Sequence, residues 1–71
     1  MTLHKVSRGH YEVFHPVFGT IGYVMGSGSR WAFKHNLPDA GWSRTYDSRH
    51  RAVFQLQESR RRMAAAPEGE V

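Results

Sequence analysis

Five histidines, His4, His10, His15, His35 and His50, are the side chains best suited to proton transfer or metal ligation, and no cysteine accompanies them. A structural zinc site draws on thiolates and closely spaced imidazoles. These histidines are scattered, with no cysteine or carboxylate cluster in support, so surface histidines explain them better than a metal centre. No Ser-His-acid grouping follows from their spacing, and the 6 acidic residues are too dispersed for a carboxylate pair. The run "GSGS" lacks the Lys-Ser/Thr ending of a phosphate loop. The expectation is a chain that acts without catalysis, cofactor, metal or small-molecule substrate.

Contact chemistry is better represented. In "GSGSRWAFKH", residues 26–35, Trp31, Phe33 and His35 alternate with Arg30, Ala32 and Lys34. A strand points successive side chains to opposite faces, so one face is apolar and the other carries the two cations. A sheet face or β-ribbon can enter a DNA major groove and present Arg and Lys to phosphates and base edges. The chain carries 10 Lys and Arg against 6 Asp and Glu, for a net charge of +4. Glu68 and Glu70 lie in the last five residues, where no Lys or Arg offsets them, so the body is more basic than the total. That balance favours a polyanionic partner. Arg30, Lys34, Arg44, Arg51, Arg61 and Arg62 are the candidate cations, and Trp42 the candidate stacking residue. The parity of Trp42 with Arg44 and Tyr46 leaves two arrangements: Arg44 turned inward, or Trp42 turned outward. An unpaired buried Arg is costly.

These residues need elements to hold them. Residues 1–9 read as a flexible arm with a weak alternation at Leu3 and Val6. "HYEVFHP" reads as a strand with Tyr11, Val13 and His15 on one face, closed by Pro16. "VFGTIGYVM" follows, with Ile21, Tyr23 and Met25 expected to face the core and Thr20 and Val24 the open side. "GSGS" is a hairpin connection, "RWAFKH" the third strand, "NLPDAG" a turn and "GWSRTY" a short fourth strand. From Asp47 the period becomes helical. Asp47 or Ser48 is the N-cap, and Ala52, Val53, Leu56 and Met63 form the inner stripe, with Ser59 and Arg60 along it. Arg51, Arg61 and Arg62 point away from that stripe. The helix is expected to pack on the face bearing Tyr11, Tyr23, Trp31 and Phe33. Residues 64–71 read as a disordered tail. The fold class is therefore α+β: a three- to four-stranded antiparallel meander with one C-terminal helix on one face, in a single domain over residues 10–63. One helix covers one face only, which leaves the other open.

Phe14 and Phe54 fall on the outward sides of their elements, where they would serve the alternative reading, a protein-interaction module or homodimer contact or a small host-directed inhibitor. No apolar run approaches the length of a membrane span, and "MTLHKVSRGH" lacks an apolar signal-peptide core, so the expected location is the cytoplasm with no membrane partner.

The run "GYVMGSGSRWAFKHNLPDAGWSRTYDSRHRAVFQLQ" resembles the three-strand-plus-helix DNA-binding domains of plant ethylene-response factors and the arm-binding N-terminal domains of phage and transposon integrases. The resemblance covers about residues 22–57 and rests on Trp31, Tyr46, Asp47, Ala52, Val53 and Leu56. It implies an exposed sheet face in the DNA major groove, with Arg30, Lys34 and Arg44 as readers. "GWSRTY" departs from the usual "LG-x-F" ending, and the strand "HYEVFHP" is additional. Together with the small size, the resemblance implies a stand-alone regulatory or excisionase-like factor of a phage or mobile element, without recombinase activity.

Overall fold

The computed structural model describes the backbone of residues 2–70 and the side chains of residues 2–63. Four strands, β1 (Thr2–Ser7), β2 (His10–His15), β3 (Gly19–Ser27) and β4 (Arg30–His35), form an antiparallel meander in the order β1-β2-β3-β4. A helix, α1 (Arg49–Glu70), follows and packs on β4 and β3. The α+β class and the single cover agree with the sequence reading. Arg8 and Gly9 join β1 to β2, Gly9 with a positive φ of 71°, and Gly28, at 56°, sits in the turn between β3 and β4. Both turns use the glycine backbone freedom that tight hairpins demand.

Three element boundaries differ from expectation. The arm of residues 1–9 contributes a full edge strand, since Thr2 to Lys5 pair in register with Phe14 to Tyr11. "GWSRTY" is not a strand: it touches the sheet through one isolated bridge, Trp31 with Tyr46. The helical backbone continues beyond Met63 to Glu70, through residues expected as a tail, whereas the ends of the expected arm and tail, Met1 and Val71, lie outside the described residues.

Ser48 is the helix cap, its Oγ accepting from the Arg51 amide at 3.0 Å. The core is small. Val13, Ile21, Val24, Phe33, Ala52 and Leu56 are buried, and Leu3, Tyr11, Trp31, Tyr46 and Val53 pack around them. Across the sheet, Lys5, Tyr11, Val24 and Phe33 form one row on the helix side, and Leu3, Val13, Gly22 and His35 the next. Leu56 rests on Gly22: a Cβ there would lie 3.0 Å from both Leu56 Cδ atoms and closer still to the Lys34 carbonyl oxygen.

The expected parity of β3 is overturned. A bulge between β2 and β3 sets both Ile21 and Gly22 against Val13, because Val13 pairs with Gly22 while Phe14 pairs with Thr20. The extra residue shifts the alternation. Ile21 keeps its place in the core, but beyond it Val24 faces the helix, and Tyr23 and Met25 face the open side. Tyr11, Trp31 and Phe33 lie under the helix as expected; Tyr23 does not. On α1, Ala52 and Leu56 are fully buried and Val53 is half-buried, whereas Met63 is exposed.

Candidate nucleic-acid interface

The open face is built from the alternate residues of the four strands. His4, Glu12, Tyr23 and Lys34 form its central row, flanked by His10, Met25 and Ala32 on one side and Thr2, Phe14 and Thr20 on the other. Arg30 completes the face at the β3–β4 turn, where it pairs with Ser27. Arg30 and Lys34 thus share this surface, as their parity requires.

The loop after β4 supplies the remaining ring. Ser43 donates its amide to the Phe33 carbonyl at 2.8 Å, and its Oγ accepts from the Phe33 amide at 2.9 Å. Tyr46 and Trp31 exchange two backbone hydrogen bonds further along. These contacts anchor the loop along the outer edge of β4 and turn Trp42 over the open face, 39% exposed. The Lys34 ammonium lies 5.3 Å from the Trp42 ring centre and 5.9 Å from that of Tyr23. His10 meets both rings edge-on, at 5.9 Å and 6.1 Å. Trp42 outward is therefore the arrangement adopted. Arg44 is not buried in exchange: it is exposed and stacks over the Tyr46 ring at 5.0 Å.

A second aromatic pair lies across the face, where His4 stacks on Phe14 at 5.5 Å. Glu12 stands between the two groups. Its carboxylate accepts from Thr20 Oγ1 at 2.7 Å and lies 3.6 Å from His4 Nδ1. The face is therefore more aromatic and less uniformly basic than strand parity suggested. Strand parity does not bring Tyr23 and Met25 to this face; the signal that could have done so is Gly22 within a strand pattern, a position that often marks a bulge. His10 belongs to it through its parity with Glu12 and Phe14.

The other candidate cations do not join this surface. Arg51, Arg61 and Arg62 belong to α1, which packs on the opposite side of the sheet, and all three are exposed. Arg51 pairs with Asp47 at 3.3 Å and Arg61 with Glu58 at 3.1 Å. Arg44 and Arg51 share a hollow with Gln55 beside the bridge at Tyr46. Arg60, placed along the inner stripe, caps the Phe18 ring at 4.1 Å.

Of the outward aromatics, Phe14 is 37% and Phe54 51% exposed. Among the described residues no group of three metal-ligating side chains converges, and no helix is long and apolar enough to cross a membrane. The half-buried His35 bonds Ser59 through Nε2 at 2.9 Å. Burial, and secondarily the Arg60 guanidinium, hold its pKa below the ordinary histidine value.

Comparison with protein-family models, curated proteins and solved structures returns no match for this chain.

Proposed function

We propose that this protein is a non-catalytic DNA-binding factor that uses the open face of its sheet. One observation carries the reading: Lys34 and Arg30 share an uncovered face with Trp42, Tyr23 and His10, so cations and rings converge on one surface. Cations supply attraction to phosphate, and rings supply area for bases. The net charge of +4 adds long-range attraction. The resemblance to sheet-face DNA readers points the same way and suits a regulatory accessory of a phage or mobile element working in the cytoplasm.

The test is a binding titration at several salt concentrations. Each phosphate contact contributes a slope of about −0.9 in log affinity against log salt on duplex DNA, or about −0.7 on a single strand. Arg30→Ala/Lys34→Ala is expected to fold, to bind more weakly and to flatten the slope by about one for each phosphate that the variant no longer neutralises. A folded double variant with wild-type affinity and slope would show that the face meets only water.

A protein-binding reading has one observation in its favour, the exposure of Phe54 beside His50 and Arg51 in a shallow hollow of α1. Loss of a captured protein partner, or of self-association, on Phe54→Asp with DNA binding intact would support it.

A further inference from the structure

We propose that the open face takes single-stranded DNA, with unpaired thymines stacked on Trp42 and Tyr23; this rests on the DNA-binding reading above and narrows it. A reader of duplex grooves projects its donors beyond the surface to reach base edges. Here the Lys34 ammonium is instead drawn back over two rings, 5.3 Å and 5.9 Å from their centres. A ring face that attracts a cation also accepts a base, whose flat surface stacks whatever its sequence. When a base replaces the ammonium on the ring, the freed lysine can turn to the adjoining phosphate. The same side chain thus guards the platform when empty and holds the backbone when filled.

The rest of the face fits an unpaired strand. His4 and Phe14 form a second stacked pair on the far side of Glu12, away from the path along β4. A flexible single strand can lay its bases on Trp42 and Tyr23 while its backbone follows β4, whereas stacked bases inside a duplex present only their edges. Between Trp42 and the Arg30 turn, Met25 and Ala32 form an apolar floor beside Tyr23. Apolar side chains of this kind accept the thymine methyl group, which assigns the occupant to DNA. Charge complementarity sets the path: Lys34 and Arg30 attract the backbone along β4, and the Glu12 carboxylate, held by Thr20, repels it from the centre.

The probes are labelled 15-nucleotide oligomers of dT, dU and rU and a 15-base-pair duplex, titrated by fluorescence anisotropy at one salt concentration. The dT oligomer is expected to bind at least tenfold more tightly than the duplex, and dU and rU more weakly than dT. Trp42→Ala is expected to lose about 5- to 150-fold on dT, the range of one lost base–aromatic stack. It should stay folded by circular dichroism, and Trp42→Phe should recover part of the affinity. Equal binding of duplex and dT, or a folded Trp42→Ala with unchanged affinity for dT, overturns the single-strand proposal and leaves the DNA-binding reading standing. Binding of rU or dU as tightly as dT overturns the thymine assignment. Binding of none of the four overturns both readings.

Discussion

At the scale of the residue, His35 shows how one position can tie stability to pH. It faces the helix side of the sheet, meets Phe33 edge-on at 5.7 Å and bonds Ser59 of α1. Its pKa is lowered first by burial and then by Arg60, so the unfolded chain binds the proton more readily than the folded one. Stability contributed here is full above the ordinary histidine pKa of about 6.5 and is lost as pH falls below it toward the lower folded value. The wild type is therefore expected to lose more melting temperature between pH 7.5 and pH 5 than His35→Gln, whose amide retains a partner for Ser59. Equal losses in thermal melts would show that the His35 proton is indifferent to folding. Alternation in "RWAFKH" reveals that His35 shares a face with Trp31 and Phe33. The serine and arginine that meet it lie 24 and more residues away, and no local pattern carries that distance.

At the scale of the element, the legible parts were those whose patterns are local. β2, β4, the glycine hairpin and the capped start of α1 all follow from alternation, turn chemistry and helical period. β1 is not legible because an edge strand needs no apolar face: Leu3 is half-buried, and Val6, its only other aliphatic residue, is exposed. β3 is legible in position but not in the facing of its far half, because one bulge residue exchanges the faces of all that follows. "GWSRTY" has strand-like composition but only one bridge to the sheet, since Ser43 satisfies the Phe33 amide with its side chain instead of its backbone. That substitution of hydroxyl for peptide is testable. Ser43→Ala leaves the Phe33 N–H without this partner and should cost about 1–3 kcal/mol, read by chemical denaturation. It should also loosen Trp42, whose loop is anchored there. A variant as stable as wild type would mean that the backbone bonds of Ser43 and Tyr46 hold the loop without the hydroxyl.

At the scale of the whole molecule, a short chain with six buried apolar residues among those described has little stability to spare. Leu56 is fully enclosed between α1 and Gly22, and Leu56→Ala should cost about 2–5 kcal/mol. Small domains commonly hold only about 5 kcal/mol in total, so the variant should be largely unfolded at physiological temperature by circular dichroism. A melt indistinguishable from wild type would place the folding energy elsewhere. The candidate site was legible as a basic open face through Arg30 and Lys34. Its aromatic half was not, because Trp42 arrives from a loop and Tyr23 through a bulge.

The two rims of the sheet are unlike. The rim at β4 is occupied by the loop that carries Ser43 and Tyr46, while among the described residues β1 pairs with β2 alone. Copies that met strand to strand could therefore join only through β1, antiparallel and about a twofold axis, with both occupied rims turned outward. Association of that kind closes at two. The architecture has a built-in terminator against endless ribbon growth, even though half of its backbone edge stands open.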